Sequence, residues 1–312
     1  MIDPTRGRFR GCLLGLACGD AVGTALEFER RGTFEPLTDM VGGGPFRLKP
    51  GEWTDDTSMA LCLAESLLER GFDPRDQMER YCRWWREGYL SSNGRCFDIG
   101  DTVRGALRRF EESGEPLSGS TDADSAGNGS IMRLAPAPMF FAPDAAAAVK
   151  HSAESSRTTH GSQETVDACR LFGLMLSRAL AGASKDDVLN AGADDARSLG
   201  PSPMAPAIAA IAAGSWRNKT ESEIRGSGYV VHSLEAALWC FADTTSYRDA
   251  ILRAANLGED ADTTAAVCGQ VAGAFYGEEG IPPEWRGKLS MRAKIEELAD
   301  ALFEARPGPA PA

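Results

Sequence analysis

Two short clusters of oxygen-bearing side chains, far apart in the chain, are the residues best equipped for chemistry. One is Trp53-Thr54-Asp55-Asp56-Thr57, the other Glu259-Asp260-Ala261-Asp262-Thr263-Thr264. Each places two aspartates and threonine hydroxyls within about one helical turn. Hard divalent cations such as Mg²⁺ and Mn²⁺ take an all-oxygen donor set, and neither cluster has the His or Cys that zinc favours. Facing each other, the two segments could hold a pair of cations about 3.5–4 Å apart. The bland alternative is helix capping, since Asp and Thr are ordinary N-cap residues and acids in a first turn suit the helix dipole. Capping accounts for one such cluster. It does not account for two packed together, because like charges repel without a cation between them.

Two look-alike motifs fail on context. Asp260-x-Asp262-x-Thr264 echoes the DxDxT element of haloacid-dehalogenase phosphotransferases, which follows an apolar strand near the N-terminus. Here Ala255-Asn256-Leu257-Gly258 precedes it, late in the chain. Asp122-x-Asp124 resembles the start of a calcium loop, yet the position that should carry the closing Glu is Arg133.

The elements that must position the clusters read as helices. Met59, Leu61, Cys62, Ala64, Leu67 and Leu68 form one apolar face after Asp56. Further helical patterns cover 77–87, a stretch begun by Asp98 and running through Phe110, then 145–155, 164–181, 184–191, 204–213, 234–241, 247–255, 263–275 and 290–304. Gly228-Tyr229-Val230-Val231 is the best strand candidate and is short. The expected fold is all-α: a compact single-domain orthogonal helix bundle over residues 1–305 with a central dinuclear metal cleft. Residues 306–312, Pro-Gly-Pro-Ala-Pro-Ala after Arg306, read as a flexible tail. The 34 glycines in 312 residues exceed the usual share of about 7%. Their excess reads as loop glycine, at 42–44, 127–129 and 226–228, where backbone can approach a ligand.

Charge narrows the partners. With 33 Lys+Arg against 45 Asp+Glu the formal net charge is −12, which disfavours nucleic acid because phosphate binding needs a basic footprint. Arg6, Arg8 and Arg10 precede an apolar run at 12–18, a pattern that resembles a signal peptide, but Asp3 and Asp20 flank it and no clean cleavage site follows. No uninterrupted apolar run approaches the roughly 20 residues of a spanning helix. Eight cysteines without a CxxC pair read as reduced core thiols. A cytoplasmic protein without a membrane partner is expected.

At this point the chain resembles the ADP-ribosylglycohydrolase family. The resemblance rests on Gly11-Cys12-Leu13-Leu14-Gly15-Leu16-Ala17-Cys18-Gly19-Asp20-Ala21-Val22-Gly23 followed by Glu27, Thr54-Asp55-Asp56-Thr57, and Phe97-Asp98-Ile99-Gly100. It continues through Gly127-Asn128-Gly129-Ser130-Ile131-Met132-Arg133, Thr159-His160, Gly228-Tyr229-Val230, and Asn256-Leu257-Gly258-Glu259-Asp260-Ala261-Asp262-Thr263-Thr264. The set is in the family's order and spans nearly the whole chain.

The resemblance implies an all-α hydrolase that releases ADP-ribose from an acceptor with two Mg²⁺ or Mn²⁺ ions, held by Thr54, Asp55, Asp56, Asp260, Asp262 and Thr263. It implies an acid/base role for Glu27, otherwise an exposed helix-end acid. It implies a contact of Asp98 with the acceptor guanidinium, alongside or instead of a plain N-cap role. Gly127, Asn128, Gly129 and Ser130 would cradle the pyrophosphate with backbone N–H groups. Gly100, Met132 and Gly228 would join the substrate-binding set. His160 and Tyr229 would lie by the ribose and adenine, with Tyr229 stacking. Glu259 stands where small residues are frequent, as a third acid beside the cluster. His151 and His232 read as surface or capping residues.

The favoured partner is an ADP-ribosylated protein modified on arginine, with ADP-ribose as product. The alternatives are an O-linked acceptor (serine or O-acetyl-ADP-ribose), modified nucleic acid, or a protein that binds ADP-ribose without turnover.

Overall fold

Apolar residues at helical spacing dominate the chain. In a computed structural model, which describes residues 3–192 and 203–305, they wind into α-helices joined by loops. In chain order these are α1 (Pro4–Gly23), α2 (Asp55–Arg70), α3 (Pro74–Glu87), α4 (Asp101–Ser113), α5 (Pro136–Phe141), α6 (Ala145–Arg157) and α7 (Gln163–Leu180). There follow α8 (Lys185–Leu189), α9 (Pro206–Ala212), α10 (Val230–Ala242), α11 (Tyr247–Ala255), α12 (Ala261–Tyr276), α13 (Pro283–Lys288) and α14 (Arg292–Ala305). Among the described residues there is no sheet, only isolated bridges such as Gly127 with Tyr229. The all-α expectation holds. The Pro/Ala tail lies outside the described residues.

Several local expectations change. The strand candidate at 228–231 is the entrance to α10, with Tyr229 as its N-cap residue. The stretch begun by Asp98 becomes helical only at Asp101, and Gly100, not Asp98, is the N-cap. Asp98 instead has a left-handed backbone, φ 61°. The largest difference is α1, absent from the helices expected from sequence. Its 11–23 stretch is completely buried, so it lacks the polar face that marks a surface helix. By length and mean hydropathy, Pro4–Leu26 is apolar enough to cross a membrane, against the sequence expectation, yet 89% of that window is buried inside the protein.

Helix α1 packs antiparallel against α12, and glycine decides how closely. A Cβ on Gly11, Gly15, Gly19 or Gly23 would collide with the backbone of Gly273, Gly269, Ala265 or Ala261 respectively. Residues four apart share a helix face, so this ladder lets the two backbones meet along their whole length. The glycine excess therefore serves helix centres as well as loops, correcting the sequence reading. Its consequence is positional: the C-terminal end of α1 is locked beside the N-terminus of α12. Helices α10, α11 and α7 pack around α12. A second apolar cluster, including Met59, Tyr81, Trp84, Leu107 and Met132, ties α2, α3 and α4 together.

Candidate active site

The two acidic clusters sit at the N-termini of α2 and α12, where helix dipoles favour negative charge. Neither N-cap residue, Thr54 or Asp260, caps its own helix with its side chain. Elsewhere the ordinary device is present: Asp73, Asp144, Ser162 and Ser246 cap α3, α6, α7 and α11. For α2 and α12 the capping carboxylates come from α1 and the turn after it. Asp20 accepts the N–H and hydroxyl of Thr54, both at 2.9 Å, and the N–H and hydroxyl of Thr57 at 3.1 and 2.6 Å. Glu27 accepts the N–H groups of Ala261 and Asp262 at 2.9 and 3.3 Å. Most of the capping role first weighed for the clusters is performed by Asp20 and Glu27, and of the cluster acids Asp262 takes one first-turn N–H, that of Thr263, on Oδ1 at 2.6 Å.

Those acids converge. Carboxylate oxygens of Glu27, Asp260 and Asp262 lie within 4.8 Å of one another. Thr54 and Thr263 hydroxyls approach Asp56 Oδ2 at 3.3 and 3.4 Å, bridging the two clusters. Among the described residues no Lys or Arg forms an ion pair with Asp20, Glu27, Asp55, Asp56, Asp98, Asp260 or Asp262. Two oxygens, Asp56 Oδ1 and Asp262 Oδ2, are buried without any hydrogen-bond partner. An unpaired buried carboxylate oxygen is costly. These groups titrate accordingly. Burial, then the charges of neighbouring aspartates, pushes Asp55 and Asp56 well above the carboxylate range. Asp262 and Glu27 are raised by the same causes. Burial and Asp55 raise Asp98 to about 8. Burial and Asp262 raise Asp260 to about 7, against a hydrogen bond from Asn128. Asp20 is held at about 6, burial outweighing its hydrogen bonds from Thr57 and Thr54. The donor set is all oxygen, concentrated and uncompensated, which fits hard divalent cations.

The acids floor a cleft of about 660 Å³. Of the residues singled out from sequence, Glu27, Asp55, Asp98, Gly100, Gly127, Asn128, Gly129, Met132, His160, Gly228, Asp260, Asp262 and Thr263 line it. Thr54 and Asp56 lie behind this wall, buried. Glu27 is only 4% exposed, so the exposed-acid alternative is wrong. The space beside Asp260 depends on Gly228, whose added Cβ would stand 3.1 Å from Asp260 Oδ2. Asn128 donates to that same oxygen and to Ser233 Oγ, both at 2.9 Å, so its side chain orients Asp260.

Within the 127–130 loop the N–H groups of Gly127 and Asn128 are already committed, to Ser125 O and Gly228 O. The expectation of a four-amide cradle narrows to Gly129 and Ser130. The Ser130 side chain is buried against Ser156 and Cys169 and does not line the cleft. His160 is neutral: burial and the neighbouring Arg133 push it down to about 3, and its Nδ1 pairs with Thr159 Oγ1 at 2.9 Å. Tyr229 does not line the cleft, and its hydroxyl donates to Glu164 at 2.6 Å.

Other placements correct the sequence reading. Glu259 is not a third acid of the cluster: its carboxylate turns to Arg225 at 3.7 Å. His151 is partly buried: it stacks on Phe141, with ring centroids 4.0 Å apart, and its Nδ1 lies 3.1 Å from Glu154. His232 is half-buried and pairs with Ser227 Oγ at 2.8 Å. Arg133, quoted from sequence without a role, is fully buried and carries the loop. It donates to Gly129 O and the Thr159 hydroxyl, with its guanidinium over the Tyr81 ring. Sequence reasoning missed the bracket role of Asp20, although Asp20 stood inside the quoted motif. It also missed Phe28, Phe46 and Phe97, three aromatic rings lining the cleft. Isolated aromatics carry no spacing signal that separates rim from core.

Comparison with known proteins places these features in context. The sequence profile described as ADP-ribosylglycohydrolase matches residues 1–312. The chain is 49% identical over 301 residues to the ADP-ribosylarginine hydrolase Tri1 of Pseudomonas putida (strain GB-1), covering 96% of this chain and 79% of that protein. It is 32% identical over 305 residues to the ADP-ribosyl-[dinitrogen reductase] glycohydrolase of Rhodospirillum rubrum, covering 95% of each. A solved structure described as an ADP-ribosylglycohydrolase-related protein complex superposes with a TM-score of 0.87 at 40% identity, over 98% of this chain and all of the other.

Proposed function

The chain belongs to the ADP-ribosylglycohydrolase family, and on that premise we infer that it hydrolyses the bond joining ADP-ribose to arginine side chains of modified proteins. The observation that carries the reading is the convergence of carboxylates that, among the described residues, no Lys or Arg pairs, with Asp56 Oδ1 and Asp262 Oδ2 buried and unpartnered. Thr54, Asp55, Asp56, Asp260, Asp262 and Thr263 would hold two divalent cations, Mg²⁺ or Mn²⁺. When bound, such a pair supplies an oriented, acidified water and polarises sugar hydroxyls.

The protein's own residues then divide the remaining work. Asn128 holds Asp260 in place, and Asp20 holds the start of α2. Glu27, buried and beside Asp262, is the proton carrier at the scissile bond, its affinity for a proton raised by burial. Asp98 offers a carboxylate to the acceptor guanidinium, a pairing that suits bidentate geometry. The developing positive charge of the ribosyl carbon is favoured by the surrounding acids. His160, kept neutral, forms a wall without adding charge.

The test is release of ADP-ribose from an arginine-modified protein with Mg²⁺ and with Mn²⁺. Chelator, Asp56→Ala and Asp262→Ala should each abolish it. Release that survives both chelator and Asp262→Ala removes the reading.

A further inference from the structure

Among the described residues, four of the six non-glycines with positive φ are Phe28 (64°), Arg47 (56°), Asp98 (61°) and Glu259 (62°). Each is in the cleft lining or next to it in sequence. A left-handed backbone is uncommon for any non-glycine residue and costly for a bulky one. At Phe28 it is held by a two-way clasp: Phe28 N–H donates to Glu259 O at 2.7 Å, and Glu259 N–H donates to Glu29 O at 2.7 Å. Both sides of the clasp are left-handed. The result is that Phe28, adjacent to Glu27, lines the cleft while remaining 66% exposed.

Phe28 is not alone. Its ring meets Phe46 edge-on at 6.3 Å between centroids, and Phe46 meets Phe97 at 5.2 Å. Phe97 precedes Asp98, whose carboxyl lines the cleft wall. Three half-open aromatic rings therefore curve around the mouth between Glu27 and Asp98. Burying them would be favourable, so their exposure is maintained against the hydrophobic effect. Aromatic faces also stack a nucleobase, but beside a carboxylate they favour a planar or ammonium cation on an apolar stem.

Resting on the arginine reading above, we propose that Phe28, Phe46 and Phe97 form a collar that grips the acceptor arginine side chain. Phe28 is its specificity-determining residue. The rings take the methylene stem and the face of the guanidinium while Asp98 takes its edge. Neutral acceptors gain no cation–π contact, so the collar selects arginine over hydroxyl acceptors. ADP-ribose itself, lacking an acceptor, does not use it.

The experiment compares wild type with Phe28→Ala, Phe28→Leu and Phe28→Trp. It measures kcat/KM on an arginine-modified protein and ADP-ribose affinity by calorimetry with Mn²⁺ present. Loss of the contact should lower kcat/KM about tenfold in Phe28→Ala and Phe28→Leu, chiefly through KM, while Phe28→Trp retains activity. ADP-ribose affinity should stay unchanged in all three, which also shows that the variants fold. Wild-type activity in Phe28→Leu overturns the collar, because an apolar side chain without a π face then suffices. An equal loss of ADP-ribose affinity also overturns it, assigning Phe28 to the nucleotide. A wild-type protein that binds ADP-ribose but leaves modified arginine intact refutes the acceptor reading itself, and the collar falls with it.

Discussion

Asp20 and Thr57 are joined twice: one carboxylate oxygen of Asp20 accepts both the backbone N–H of Thr57, at 3.1 Å, and its hydroxyl, at 2.6 Å. The other oxygen serves Thr54 in the same manner. All four hydrogen bonds need an acceptor at Asp20. Asp20→Asn turns one side of that bracket into a donor facing donors. It should cost about 1–3 kcal/mol of stability, the usual penalty for orphaned buried polar groups. Urea unfolding measures the loss. Divalent-cation affinity should fall with it, because Asp55 and Asp56 follow directly on Thr54.

The acid cluster makes the metal-free protein pH-sensitive. Folded-state values of about 6 for Asp20, about 7 for Asp260 and about 8 for Asp98 all lie above the 3.8 of a free aspartate. Between those limits the folded state binds more protons than the unfolded chain, so stability falls as pH rises. The melting temperature of chelated protein should therefore decline from about pH 5 to about pH 8. Mn²⁺ should raise it most at the upper end, where the carboxylates are ionised. A melting temperature that climbs with pH in chelator would contradict this electrostatic account.

Helix contact through glycine reverses an ordinary rule. In a helix interior Gly→Ala normally gains about 1 kcal/mol. At Gly269 the new methyl would collide with the backbone at Gly15, and overpacking of that kind costs about 1–3 kcal/mol or more. Gly7, also in α1 but with nothing within 4 Å of an added Cβ, is the internal control. Denaturant midpoints should move in opposite directions for Gly269→Ala and Gly7→Ala. Hydrolysis should fall only in the first, as α1 and α12 part and Glu27 leaves Asp262.

Asp98→Asn removes the charge offered to the acceptor. Release from arginine should drop by at least about tenfold, the scale of a charged hydrogen bond replaced by a neutral one. ADP-ribose affinity, measured separately, should change little. Equal losses on both would mean that Asp98 serves the cation site through its neighbour Asp262.

Much of the fold was legible because helix periodicity is local. The apolar spacing after Asp56, and again at 247–255, corresponds to α2 and α11. Helix α1 escaped because a helix buried on every side has no polar face, and periodicity reports only the contrast between faces. The start of α4 was misplaced because Asp98 carries side-chain chemistry that imitates a cap while its backbone turns left-handed. Glu259 misled in a similar way: its place beside Asp260 in the chain says nothing of the turn that sends its carboxylate to Arg225.

By itself, the sequence determined which atoms are available: two acidic clusters without His or Cys, each at a helix start, in the order characteristic of one family. Residue type and short spacing suffice for that, since donor chemistry and helix registry are properties of neighbours in the chain. Only the tertiary structure decided that the clusters are not chiefly caps, because Asp20 and Glu27 do most of the capping from elsewhere. It decided too that they face one another, through a glycine ladder whose meaning appears only when two helices touch. The aromatic collar also belongs to the tertiary level. Phe28 and Phe46 sit 18 residues apart in the loop before α2 and Phe97 in the loop before α4, and nothing short of packing brings their rings to one mouth.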